Sequence, residues 1–478
     1  MKTALVVVPS ARLSALTAAA VSTLMLAGCM SFIPKYEQPA APVAPTYPPE
    51  LTPAGAPGAE AAASIEWQRF FADPRLKRLI ELSLQNNRDL RVAILNIEQA
   101  RASYQIRRAD ELPSVGGGGV AQRQSGANGG LVNSYAVGLQ VTGFELDFFG
   151  RVRSLSQAAL SQYLATEEAR KTAQISLVSG VATSYISLLA DDELLRVTRD
   201  TLASREDSFR LTKLRFDNGV SSELDLRQAE QLLETAKASL AQTQRQKALD
   251  ENALTLLVGQ PLPTDLPAPL KLAQQQSVAD LPAGLPSDLL IRRPDVLSAE
   301  QQLLSTNANI GAARAAFFPR ISLTANAGTA SSELSRLFKS GTFALTGTAT
   351  LLQPIFDAGR NQANLEVAKV NKDIAIAQYE KAIQTAFREV ADSLAGRATL
   401  GEQLRAQSAV ANAAQVSFKL ADLRYKNGAS SYFDVLDAQR TLFTAQQATV
   451  QTQALQVQNL VTLYKVLGGG WTEPVKAK

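Results

Sequence analysis

"SYAVGLQVTGF" occupies residues 134–144, and "ISLTANAG" occupies residues 321–328. In the first, Tyr135, Val137, Leu139 and Val141 fall on one face of an extended chain, with Ala136, Gly138, Gln140 and Thr142 on the other. In the second, Ile321, Leu323, Ala325 and Ala327 oppose Ser322, Thr324, Asn326 and Gly328. "FALTGTATL" alternates in the same way from Phe343 to Leu351. Strict period two predicts β-strands with one apolar and one polar face. A fourth strand is expected in the glycine-rich "SVGGGGVAQR" (114–123), on symmetry rather than on its own chemistry. Polar connections, "QSGANGGLVN" and "ASSELSRLFKSG", join the strands in pairs.

The symmetry is an internal duplication. "LRFDNGVSSELD" (214–225) returns as "LRYKNGASSYFD" (423–434), 209 residues later. "NNRDLRVA" (86–93) precedes "RRPDVLSA" (292–299) by 206, and Pro113 precedes Pro319 by the same interval. Each copy reads helix, two strands, very long helix, turn, long helix. No proline occurs from Ser114 to Gln260 or from Ile355 to Glu473. Strands are expected at about 113–124, 134–147, 319–330 and 343–355, and helices at about 150–217, 221–258, 359–426 and 430–467. At 1.5 Å per residue the longest helices would each reach about 100 Å. Leu226, Leu233, Leu240 and Leu254, with Ala229, Ala236 and Leu257 beside them, have the spacing of a coiled-coil seam. The domain plan is repeat 1 at 63–270, repeat 2 at 271–470 and a tail at 471–478.

The amino terminus is read separately. Lys2 and Arg12 flank an apolar run that ends "LMLAGCM", the form of a secretory leader over 1–28. Leu26-Ala27-Gly28-Cys29 has lipobox form, so Cys29 is the expected lipidation site. Two or three acyl chains anchor firmly where one does not. Met30, in place of Asp, fits sorting to the outer membrane. Residues 29–62 carry eight prolines among Ala and Gly and read as an extended tether. Beyond the leader no stretch is expected to form a transmembrane helix of roughly 20 apolar residues.

Composition excludes several classes. There is no histidine, which removes the commonest general base and zinc ligand, and Cys29 is the single cysteine. Neither an enzyme nor a metal site is expected. Without Lys2 and Arg12, basic residues exceed the 44 acidic ones by two, so no nucleic-acid partner is expected. "GGGG" at 116–119 lacks the following Lys-Ser/Thr of a phosphate loop.

Four strands are too few for a transmembrane barrel, whose smallest form has eight. Either they make a water-exposed sheet beside a coiled coil, as in a lipoprotein scaffold, or several chains contribute four staves each.

The sequence resembles the outer membrane efflux proteins, the TolC-like channel-tunnels, and most closely their lipidated OprM-type branch. The resemblance spans nearly the whole chain. It rests on "EWQRFFADPRL" (66–76), "FELDFFGRVRS" (144–154), "LPSDLLIRRPDVLSAEQQL" (285–303), "GAARAAFFPRISLTANAG" (311–328) and "YFDVLDAQRTLFTAQQ" (432–447). It implies a mixed membrane fold. Three identical chains would share a twelve-strand β-barrel in outer membrane lipid, four strands from each. A long periplasmic α-helical barrel with a mixed equatorial domain would continue it. It further implies a periplasmic membrane-fusion adaptor and an inner-membrane resistance-nodulation-division pump as partners, with no cofactor beyond the lipid. The duct of a type I protein secretion system is the alternative of the same architecture.

Site residues follow from the repeat and the resemblance together. Gly219 and Gly428 suit left-handed helix caps, and the serines after them suit N-caps. Asn218, Gly219, Val220, Ser221 and Ser222, with Asn427, Gly428, Ala429, Ser430 and Ser431, are the expected adaptor-docking tips. Asp225 and Asp434, each three residues after a serine, resemble capping-box acids. Asp437 has Gln228 as its repeat partner, so capping does not explain it. The resemblance assigns Phe433, Asp434, Asp437 and Arg440 to a periplasmic gate.

Overall fold

The structure, a computed structural model, describes residues 31–48, 62–125, 130–275, 281 and 292–471. The leader, Cys29 and the tail beyond Trp471 lie outside the described residues. In chain order come α1 (Pro74–Asn86), α2 (Arg88–Ala109), β1 (Val115–Ser125), β2 (Leu131–Glu145), α3 (Arg151–Asp217) and α4 (Glu223–Val258). After them come α5 (Pro294–Ala315), β3 (Arg320–Ser331), β4 (Phe343–Leu352), α6 (Arg360–Lys426) and α7 (Tyr432–Val466). The duplication is now visible in the backbone. Both ends of α5 lie 206 residues after those of α2, and both ends of α6 lie 209 after those of α3.

One compact unit holds residues 1–40, 96–166 and 298–379. Its sheet is antiparallel in the order β1-β2-β3-β4. The register sets Val115 opposite Val141, Leu139 opposite Ala327 and Ala327 opposite Leu345, which builds one apolar face across four strands. The other face carries Gln140 opposite Asn326 and Asn326 opposite Thr346. Gly138 pairs with Gly328 between the two copies, and a Cβ on Gly138 would stand 2.6 Å from the Gly328 Cα. Only glycine fits that approach. A bulge between Val141 and Phe144, with Gly143 at φ 64°, returns Phe144 to the apolar face beside Leu323. β4 stops at Leu352 rather than at the expected 355, because Pro354 has no N–H for the ladder.

In the same unit the stretch after the lipobox is not a free tether. Phe32 stacks on Phe318 at 4.7 Å, and Asn307 donates to the Pro34 carbonyl at 2.8 Å. The Tyr36 hydroxyl donates to Glu300 at 2.8 Å. The prolines keep this segment extended, but its aromatic side chains find apolar ground, so it docks as a strap.

The other unit holds residues 41–95, 167–297 and 380–478. Tyr47, 4% exposed, stacks on Phe387 there at 4.9 Å. Asp73 is fully buried and caps α1 by accepting from the Arg75 and Leu76 amides. Its second oxygen accepts from the Tyr185 hydroxyl, the Leu270 amide and Gln275. The duplication recurs in hydrogen bonds: Asn87 donates to the Leu257 carbonyl, and Arg293 to the Val466 carbonyl. Each ties down the last turn of a long helix. On α4 the seam residues Ala229, Leu233, Ala236 and Leu254 are buried, while Leu226, Leu240 and Leu257 are half-buried.

α3 contains an eighteen-residue window of mean hydropathy 1.4, long and apolar enough to cross a bilayer. Val178, Val181, Ala182, Tyr185 and Ile186 of α3 are each no more than 2% exposed, so this apolar length serves the protein's interior.

Asp191 of α3 is buried, and Asp250 of α4 and Asp192 add negative charge around it. Lys247 is occupied by Asp192 at 2.6 Å. Burial, then Asp250 and the charge of Asp192, push the Asp191 carboxyl up to about 7 against the pull of Lys247. A raised folded value means that the native chain holds a proton which the unfolded chain releases. The associated stability is complete below the ordinary carboxylate range and is lost as pH rises through about 7. The apparent melting temperature of the purified protein is therefore expected to fall between about pH 5 and about pH 8, and less steeply in Asp191→Asn. Equal slopes in both proteins would refute the assignment.

Candidate functional site

The repeated phrase folds as two helix–turn–helix tips. α3 ends with the Gly219 amide donating to Phe216 and the Val220 amide to Arg215, at 2.9 and 2.8 Å. α6 ends with Gly428 donating to Tyr425 and Ala429 to Arg424, at 3.0 and 2.8 Å. Both are Schellman caps, and both glycines sit at φ 73°. Asn218 and Asn427 add side-chain bonds to Leu214 and Leu423, each 2.7 Å. Val220 is 76% exposed. Asn218, Gly219 and Ser222, with Asn427, Gly428, Ala429 and Ser431, are exposed too, while Ser221 and Ser430 are half-buried.

The next helices start differently. At α4 the Asp225 amide donates to Ser222 Oγ at 3.1 Å, and the Ser222 amide donates back to Asp225 at 3.2 Å. Ser221 Oγ also donates to Asp225 at 3.1 Å. This is a complete capping box with Asp in the acid position. At α7 the expected box is absent: Ser431 makes no side-chain cap. Tyr432 replaces the exposed Glu223 of the first copy and is buried, its ring 5.1 Å from Tyr425. Apolar burial anchors that helix start instead, and Asp434 is left exposed.

The two tips pack on one another. Ala229, Tyr432, Val435 and Leu436 form a buried cluster, flanked by Phe209, Leu232, Phe418, Ala421 and Tyr425. The Arg215 guanidinium lies 4.6 Å over the Tyr425 ring.

The four gate residues come together. Phe433, Asp434 and Asp437 line a groove of about 590 Å³ between α6 and α7, floored by Ala413, Ala414 and Ala438. Arg440 lies one turn on and donates to Asp437 at 2.9 Å, within the same helix. Both partners are more than half exposed, so the pair is worth only a few tenths of a kcal/mol, roughly 0.3–0.5. Its importance is geometric: it fixes where the Arg440 charge points. Sequence reading missed Arg205 of α3, which is 3% exposed beside α7. Its repeat partner is Ala414, so the comparison that singled out Asp437 could have found it.

The pattern of the outer membrane efflux protein family matches residues 79–260 and 285–469. The chain belongs to that family. Among efflux proteins it is 48% identical over 458 residues to the solvent efflux pump outer membrane protein SrpC of Pseudomonas putida, covering 94% of this chain and 97% of that one. It is 44% identical over 471 residues to the outer membrane protein OprJ of Pseudomonas aeruginosa, covering 95% and 96%. The open-state outer membrane channel MtrE of Neisseria gonorrhoeae superposes with a TM-score of 0.84 at 41% identity, covering 92% of this chain and 98% of that one. The fold is that of the TolC-like efflux channels, mostly helical with four strands per chain.

The unequal helix starts make a direct prediction. Asp225→Ala removes the acid half of the capping box and should cost the first tip up to about 1 kcal/mol, while Asp434→Ala should cost the second far less. Amide hydrogen exchange at the first turns of α4 and α7 would show the difference. Equal acceleration in the two variants would contradict it.

Proposed function

We propose that three copies of this efflux protein form the outer membrane exit duct of a tripartite pump. The carrying observation is the two-faced sheet of four strands. An apolar face suits lipid and a polar face suits water, yet among the described residues β1 and β4 each leave an edge unpaired. Such edges are not tolerated in a bilayer, so identical neighbours must close the ring. Three chains give twelve strands, as the family resemblance implies. With two repeats in each chain, the hairpin tips stand in near-sixfold order around one mouth.

Conduction is passive and the energy comes from a partner. The exposed tips, from Asn218 to Ser222 and from Asn427 to Ser431, are the docking surface for a periplasmic adaptor, which links the duct to an inner-membrane resistance-nodulation-division pump. Cys29 carries the acyl anchor. The cargo is small and toxic, of the solvent and antibiotic kind for which relatives are named.

Asp434 and Asp437 ring the mouth with carboxylates, and Arg440 offsets Asp437 so that three copies of α7 can lie close together. Purified oligomer in planar bilayers should conduct, and a sealed bilayer would exclude the duct reading. Asp437→Ala leaves Arg440 unpaired in all three chains, so repulsion should widen the mouth and raise single-channel conductance or antibiotic entry. Unchanged values for both would count against the gate. Cys29→Ser should abolish labelling by radioactive palmitate in cells, and persistent labelling would place the lipid elsewhere.

A further inference from the structure

Arg205 is a buried guanidinium with no acid beside it. Among the described residues no carboxylate lies within ion-pair distance of it, and its Nε has no hydrogen-bond partner. Its contacts are a bond from Nη1 to the Leu232 carbonyl at 3.0 Å and the Phe443 ring, 5.4 Å away. Burial, then the charge of Arg440, holds its pKa below the ordinary arginine value. Burying a charge without a partner is costly, so the position is unfavourable for folding alone.

What surrounds it belongs to the gate. Gln439 of α7 donates to Ser204 at 3.2 Å and to Ser208 at 3.4 Å, so it clasps α3 on both sides of Arg205. Arg440 is the next residue on α7 after that clasp, which brings its backbone close to α3 beside Arg205. Like charges on neighbouring helices repel, and solvent screens the exposed partner more than the buried one. The exposed one yields, and Arg440 is found turned outward onto Asp437.

The duplication shows that the repeat does not require these charges. Arg205, Asp437 and Arg440 correspond to Ala414, Gln228 and Gln231 in the other copy. At 209-residue spacing, each of the three charges replaces a neutral residue. They break the repeat together, on two helices held side by side by Gln439.

We infer that Arg205 is a positioning residue of the periplasmic gate, a buried cation that repels Arg440 outward and so holds it on Asp437. This rests on the gate reading above. Without Arg205, Arg440 is free to fold inward toward the Leu232 carbonyl and the Phe443 face. Asp437 then stands uncompensated, and the carboxylates around the mouth repel one another.

The experiment compares single-channel conductance of the full-length trimer in planar bilayers for Arg205→Met, Arg205→Lys, Asp437→Ala and Arg205→Met/Asp437→Ala. Arg205→Met keeps an unbranched apolar stem and removes the charge. It should raise conductance in the same direction as Asp437→Ala. The double variant should conduct no more than Asp437→Ala alone, because the two residues act through one pair. Arg205→Lys should restore the wild-type value. The apparent melting temperature of Arg205→Met should be unchanged or higher, since a costly buried charge is gone. Additive effects, or a lower melting temperature with no rescue by lysine, would reduce Arg205 to a packing residue. Wild-type conductance in Arg205→Met beside a raised value in Asp437→Ala overturns this inference and leaves the gate standing. Wild-type conductance in Asp437→Ala, with antibiotic entry also unchanged, overturns both.

Discussion

An unpaired strand edge cannot face hydrocarbon, and this single constraint organises the rest of the molecule. Each amide left open there costs several kcal/mol, about as much as a whole domain can spare. The sheet of this chain has two such edges, β1 and β4, and an alternation that assigns one face to lipid and one to water. Closing the edges requires neighbours. Once neighbours are required, long helices become possible, because helices of 67 residues such as α3 and α6 need flanking partners along their length.

Duplication then sets what is shared and what is special. The shared part is structural: paired Schellman caps, and the bonds from Asn87 and Arg293 that close the last turns of α4 and α7. The special part lies among the departures, and four of them concern the second tip. Tyr432 replaces a polar helix start with an anchored one. Asp437, Arg440 and Arg205 put charge where the other copy has none.

Much of the fold was legible in the sequence because two periodicities were strong. Period-two alternation in β2, β3 and β4 gave faces as well as strands, and proline-free runs bounded the long helices. The glycine-rich β1 was readable only through the repeat, since four glycines carry no face information. What escaped was set by tertiary context. Proline content in residues 31–48 spoke for a tether, but not for the rings of Phe32 and Phe318 that dock it. Ser431 and Asp434 have capping-box spacing, yet the buried Tyr432 beside them decides the helix start. The burial of Arg205 depends on neighbours that only the fold supplies, although its mismatch with Ala414 is plain in the repeat.

The two tips also bear on chemical ageing. Asn-Gly is the dipeptide most prone to succinimide formation, because glycine leaves its amide nitrogen open to attack on the asparagine side chain. Both tips carry that dipeptide in exposed turns, at 218–219 and 427–428. The caps oppose the reaction: each asparagine amide is tied to a carbonyl one turn back, and each glycine N–H is held by another. A folded tip thus resists deamidation that an unfolded one would undergo. Isoaspartate at these two positions would serve as a clock for the time the hairpins have spent open.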